Sequence, residues 1–345
     1  MIHSSGPLSC ARIRFFTLLA LLCAAPLAAR PAFRGYYTGM LGGRFAIQMD
    51  LTIDSSAVIT GNYFYESVGE RLHLQGRLGT PTLLEELDAD ENITGRFAGS
   101  LAPPYAVFEG TWTSADGTKS LPFTLSRVAE YHYYSTADEL IQAEAAFPRF
   151  LGKAPALQQL NTRMHTQAMV AHGQFVHDSN EMLAGEEMIG GMSFGYSHDC
   201  SIMYYSEDLI SLLVTEWSFT GGAHGNTSYA ATNYWLHDGR WQTLALADLF
   251  LPDADYLAAL TRQCRQSLQA QGAAWVQQGE MQAFTAEDLQ VFNVMPRALL
   301  FTFAPYQVGP YAQGTFQVRV PYHQLGGILN PAGPLQRRLF YKPPQ

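Results

Sequence analysis

TGGAHGNTSYAATNYW, residues Thr220–Trp235, crowds three glycines and a histidine into its first six positions, then runs on as polar, small and aromatic residues. A phosphate-cradling loop needs G-x-x-x-x-G-K-[ST] between a strand and a helix, and this stretch has no lysine. A dinucleotide fold needs G-x-G-x-x-G opening a helix, whereas a strand-like run follows here. What remains is a glycine-rich connection between two strands, LLVTEWSFT (212–220) and SYAATNYWL (228–236). Glycine there permits φ > 0 or a close backbone approach, and His224 is placed to tie the turn by a hydrogen bond. This part of the chain is therefore built on a sheet.

Upstream, the chain reads as strands alone. From Gly35 to about Val128 come GYYTGML, RFAIQMDLTI, AVITGNYFYE, RLHLQGRLG, TLLEELD, ITGRFAGSL, AVFEGTWTS and SLPFTLSRV. Phe45, Ile47, Met49 and Leu51 alternate as a half-buried strand requires, and Gly42-Gly43, Asp54-Ser55-Ser56 and Asp116-Gly117 supply turns. Short strands at regular spacing predict an all-β antiparallel meander over residues 31–128, curled into a small barrel. Gly61 and Gly95, each followed by a polar residue and an aromatic, suit the bends of a closing sheet.

Residues 129–345 have a different grain. TADELIQAEAAFPRF predicts a short helix, with Thr136 and Glu139 as a capping box and Pro148 as its end. ALQQLNTRMHTQAMVAHG predicts another, with Leu157, Leu160, Met164 and Met169 near one stripe. Strands are expected near 196–205, 209–220 and 228–237, helix at LADLF and DADYLAALTRQCRQSLQAQG, and strands again at QVFNVM, ALLFTFAP and TFQVRVP. An antiparallel sheet with helices on one side makes this an α+β module.

The N-terminus addresses the protein. Arg12 and Arg14 precede FFTLLALLC, and small residues follow in AAPLAAR, the order of a secretory signal. Cleavage is expected near Ala29, which makes residues 1–29 the signal and the mature protein periplasmic or secreted. The apolar run is too short to persist as a transmembrane anchor. Cys10 and Cys23 would leave with the signal, so Cys200 and Cys264 remain, either bridged in an oxidising compartment or buried as two thiols. The whole chain has 21 basic and 30 acidic residues. Losing Arg12 and Arg14 takes its net charge from −9 to −11. Such a chain does not grip nucleic-acid phosphates nonspecifically, and it attracts cationic partners.

Little in the sequence points to catalysis. Gly191-Met192-Ser193-Phe194-Gly195 fits G-x-S-x-G, but the nucleophile elbow needs a buried strand before the serine and a helix after it. LAGEEMIG before it is not such a strand, and YSHDCSIMYYS after it reads as extended. His172 and His177 fall on different faces of a helix, and no H-E-x-x-H set occurs, so no catalytic residue, metal ligand or cofactor is assigned. The competing reading is a hydrolase of envelope polymers using Ser193 or a His224 centre.

Two separated stretches carry a resemblance. Gly221-Gly222-Ala223-His224-Gly225-Asn226, then Asn233 and Leu246-Ala247-Asp248-Leu249-Phe250, resemble the extracytoplasmic domain of the lysozyme-sensing anti-sigma factor RsiV. A similar module accompanies the catalytic domain of some peptidoglycan deacetylases. Phe301-Thr302-Phe303-Ala304-Pro305-Tyr306-Gln307-Val308-Gly309-Pro310-Tyr311-Ala312-Gln313-Gly314, closing with Val320-Pro321-Tyr322, resembles the second hallmark of the same family. The resemblance covers about residues 130 to 335. Trp235 stands where an acid is common in that family, and the sequence shows neither its membrane helix nor a deacetylase domain. The resemblance implies noncatalytic recognition of a protein or glycan ligand of the cell envelope, lysozyme-like enzymes being the precedent. Gly221, Gly222, His224, Asn226, Tyr306 and Tyr311 are the expected binding residues, the two tyrosines because each joins apolar area to a polar tip.

Overall fold

The computed structural model describes residues 30–185 and 193–339. The expected signal, with Cys10 and Cys23, and the Gly191-Met192 pair lie outside the described residues. Eight strands run as a meander: β1 (Phe33–Leu41), β2 (Phe45–Ile53), β3 (Val58–Tyr65), β4 (Arg71–Arg77), β5 (Thr82–Leu87), β6 (Ile93–Ser100), β7 (Val107–Ser114) and β8 (Ser120–Ala137). Each pairs antiparallel with the next. β8 then returns to β1, from Gly35 opposite Glu130 to Leu41 opposite Phe123, and the barrel closes. Closure removes the sheet edges that would otherwise stand unpaired.

The barrel is filled, not hollow. Ile47, Met49, Leu51 and Ile53 of β2 point inward with Tyr63, Phe97, Phe108 and Phe123, all buried. Gly61 is required on β3: a Cβ there would lie 2.1 Å from the Asp50 carbonyl oxygen. The buried Glu86 carboxyl group accepts from Tyr63, Thr94 and the Trp112 indole, so its oxygens are hydrogen-bonded although no cation reaches it among the described residues. Gln48 and Asp50 alternate onto the outer face of β2 and are buried nonetheless, because the second half of the chain packs there. The Gln48 amide donates to the Tyr205 carbonyl at 2.7 Å and accepts from the Tyr205 N–H at 3.0 Å.

The expected helix over 136–150 does not form. β8 continues past the barrel and pairs with β9 (Ile141–Phe150), from Ala129 opposite Phe150 to Ala137 opposite Gln142. Asp138 turns the chain instead, its carboxylate accepting from the N–H groups of Leu140 and Ile141. Ile141, Ala143 and Ala145 are buried at period two, so the alternation overrode the helical leaning of the Ala and Glu residues. Pro148 is tolerated because β10 (Phe194–Tyr205) pairs only with Ile141–Ala146, leaving that edge of β9 free beyond Ala146.

β9 and β10 run parallel, and the long crossover that a parallel pair needs is α1 (Pro155–Gly185). Leu157, Leu160, Met164, Ala168 and His172 form its buried stripe, while Met169 is only partly covered. Each fully buried Leu or Met contributes about 1.5–3 kcal/mol. β11 (Leu209–Phe219), β12 (Asn226–His237) and β13 (Arg240–Thr243) extend the sheet antiparallel. Alternate residues of β11 face two cores: Ile210 and Leu212 pack with α1, Leu209 and Leu213 with the elements that follow. Those are α2 (Tyr256–Ala270) and a second antiparallel sheet of β14 (Phe292–Val294), β15 (Ala298–Phe303) and β16 (Phe316–Pro321). The chain is thus a closed antiparallel barrel leading into an α+β module. Among the described residues, no helix is long and apolar enough to cross a membrane.

Cys200 and Cys264 are not bridged. Cys200 lies in the core beneath α1, Cys264 in the core of α2, and both are buried free thiols. The disulfide alternative fails because the sheet separates the two cores. Burial pushes each thiol up to about 12, so both stay protonated at neutral pH.

Candidate functional site

The opening stretch forms the turn between β11 and β12. Gly221 and Gly222 have φ of 103° and 94°, values that residues with a Cβ rarely adopt. Gly225 is constrained differently: a Cβ would lie 2.3 Å from the Trp217 indole nitrogen. Trp217 of β11 also covers Gly195 of β10, where a Cβ would approach its ring to 2.8 Å. One indole thus lies against glycines of two flanking segments, with the Phe219 ring stacked 6.5 Å away.

His224 is exposed, and its Nδ1 is 2.8 Å from the Gly225 carbonyl oxygen. A carbonyl only accepts, so Nδ1 donates. The same carbonyl accepts from the Tyr311 hydroxyl at 2.8 Å. The His224 and Tyr311 rings stack with centroids 3.7 Å apart and planes 15° from parallel. Tyr306 lies 5.5 Å from Tyr311, is 53% exposed, and has φ of 68°. A non-glycine residue in that region costs about 1–3 kcal/mol, which the surroundings must impose. Gln307 and Gln313 do so. The Gln307 amide accepts from the Ala304 N–H and donates to the Asp288 carbonyl, while Gln313 accepts from the Ala274 N–H and donates to the Gly272 carbonyl. Val308, buried between them, pins the loop to the core.

Gly221, Gly222, His224, Tyr306 and Tyr311 therefore sit together at one end of the module. Asn226 opens β12 opposite Ser218 and is exposed beside them. Trp217 and Phe219 extend the aromatic surface and were not among the expected residues. The i, i+2 aromatic pair was visible in WSF, but the glycines that shape its place lie on other segments. Below the surface, the buried Asn233 carboxamide oxygen accepts from Ser211 Oγ at 2.7 Å and the Val294 N–H at 2.9 Å, and its nitrogen donates to the Phe292 carbonyl. This residue of the first stretch locks β12 to β14, next to the sheet that carries the second.

His224 bonds to no carboxylate or hydroxyl side chain among the described residues. Ser193 is followed by β10, not by the helix that a nucleophile elbow requires. His198 is hydrogen-bonded to Glu216 at 2.9 Å, and Tyr196 donates to the same oxygen at 2.7 Å, on the face toward α1. The His198 bond holds the Glu216 carboxyl below its usual range, and no nucleophile bonds to that histidine among the described residues. No group of three or more His, Cys, Asp and Glu able to hold a metal occurs among the described residues.

Comparison with known proteins divides the module in two. Residues 134–227 match the family described as Deacetylase PdaC, and residues 247–323 match one described as a protein of unknown function, DUF3298. A crystal structure of a DUF3298 member from Bacteroides fragilis NCTC 9343 is similar at 17% identity, covering 62% of this chain and 98% of that one with a TM-score of 0.43. Another, from Pseudomonas aeruginosa PAO1, is similar at 17% identity over 59% of this chain and 93% of that one, also with a TM-score of 0.43. No curated protein matches the chain. Gly221–Asn226 falls within the stretch similar to the first family and Phe301–Gly314 within the stretch similar to the second.

Proposed function

We propose that this is an exported, noncatalytic binding protein of the cell envelope whose ligand docks on the surface formed by His224, Tyr306 and Tyr311. One observation carries the reading: exposed Tyr306 is held on a positive-φ backbone beside Tyr311 of its own loop, onto which His224 of a distant turn stacks. Rigid aromatic side chains supply contact area at low entropic cost, and strained backbone concentrates at functional surfaces. The likeness to the anti-sigma module makes a lysozyme-like enzyme the first ligand to test and a peptidoglycan fragment the second. Lysozymes are typically basic, and a mature charge of −11 favours encounter with them. Residues 31–128 and 129–345 are proposed as two domains, with β8 running through their boundary and the barrel bracing the binding module.

The test is titration of the purified protein with lysozyme and with a soluble peptidoglycan fragment, following product release in the same samples. Saturable binding of one ligand without turnover is expected. Turnover by this protein that disappears in His224→Ala or Ser193→Ala would replace the proposal with the hydrolase reading.

A further inference from the structure

A second site lies away from the aromatic surface. Although the chain carries a net charge of −9, one cleft of about 630 Å³ has no acidic residue among the described residues of its lining. Arg297, Arg319, Arg338 and His323 line it together with apolar groups that include Leu251 and Leu329. The cleft lies where β16 and the segment after it meet the barrel, since the Arg319 guanidinium bonds to the Val68 carbonyl and lies 3.3 Å from Glu70. Arg338 is 5% exposed and is anchored by Asp208 at 3.0 Å and Ser206 at 2.6 Å. Arg297 is exposed and has no carboxylate partner among the described residues.

The cations are not fully used. The Nε groups of Arg319 and Arg338 are buried without a hydrogen-bond partner among the described residues. A buried donor left unpaired is costly, so native structures rarely keep one without a reason. Burial pushes the Tyr322 hydroxyl far up, and Arg338, Arg319 and Arg297 each pull it back. Three guanidinium charges therefore lie within electrostatic reach of one buried phenol. Asp208 and Glu70 pair with Arg338 and Arg319, which leaves Arg297 as the cation of the cleft without a carboxylate partner among the described residues.

We infer that this cleft binds a small anionic amphiphile, a phosphate or carboxylate headgroup carried on an apolar chain. The arginines match the headgroup, because guanidinium forks pair with such oxyanions, often through two hydrogen bonds at once. Leu251, 39% exposed, and Leu329 give the chain an apolar wall. The volume falls within the range of small-molecule sites, which favour junctions such as this one.

Calorimetric titration of the full chain with dodecyl phosphate, kept below its micelle-forming concentration, tests the inference. Inorganic phosphate and dodecanol are the partial probes, and dodecyltrimethylammonium is the charge-reversed one. Dodecyl phosphate is expected to bind, with both partial probes weaker by about tenfold or more. Arg297→Glu and Leu251→Asp, both exposed positions, should each weaken it by about tenfold or more with the thermal transition unmoved. Equal binding of inorganic phosphate would make this a free-phosphate site and overturn the amphiphile. Equal binding of the ammonium probe, unchanged affinity in both variants, or failure of every probe would overturn the site.

Discussion

Arg34→Met is expected to destabilise the protein by about 3–5 kcal/mol, measured by denaturant unfolding. Arg34 of β1 reaches out of the barrel, with its Nη2 2.9 Å from Asp50 and its Nη1 2.6 Å from Asp199 of β10. The same Nη2 donates to Ser201 at 2.8 Å, and the guanidinium lies 3.9 Å over the Tyr131 ring. Asp50 is 7% exposed and bonds to no other side chain among the described residues. Methionine fills much of the arginine's volume and leaves that carboxylate buried alone, which is where the cost arises. Asp199, 41% exposed, is solvated after the loss and adds little. Arg34→Met combined with Asp50→Leu should recover a large part, because removing both partners of a buried pair is far cheaper than removing one. A loss under about 1 kcal/mol for the single variant would show that this contact does not hold the barrel to the module.

Asn233→Leu should cost roughly 2–6 kcal/mol, since it strands two buried backbone groups at about 1–3 kcal/mol each. Leucine keeps the size but can neither accept from the Val294 N–H nor donate to the Phe292 carbonyl, both 2.9 Å away. Ser211 keeps a partner in Asn293, whose amide donates to it at 2.9 Å, so the loss concentrates on β14. Because β14 pairs with β15, which leads into the Tyr306 loop, the variant should also weaken ligand binding at temperatures where it remains folded. A Tm within a few degrees of the parent would contradict this role, since 1 kcal/mol moves a domain of this size by about 2–4 °C.

The barrel was legible because each of its strands carries its own turn signal and a period-two inward face. Its outward-facing residues were not. The alternation of Phe45, Ile47, Met49 and Leu51 says nothing of how deep Gln48 and Asp50 between them lie, and the packing of β10 against that face buries both. β9 was misread for the same kind of reason. IQAEAAF has helical composition, and its strand state is set by β8 on one side and by β10, some fifty residues later, on the other. The cysteines offered two outcomes with no local residue to choose between them, and the choice is made by which face of the sheet each occupies. At the site, His224 and Tyr311 could be named separately from their two stretches. Their ring contact depends on where the β15–β16 connection falls beside the β11–β12 turn, which no local spacing encodes.

The most direct measurement of the central claim is the ligand affinity of Tyr306→Ala against that of the parent chain, with thermal unfolding as the control. Tyr306 is exposed, and alanine meets the same positive-φ strain, so stability should stay within about 0.5 kcal/mol. Affinity for the lysozyme-like or peptidoglycan ligand should fall about tenfold or more, as for an aromatic anchor at the centre of an interface. Unchanged affinity in a variant that unfolds like the parent would contradict the account and place the binding surface elsewhere on the molecule.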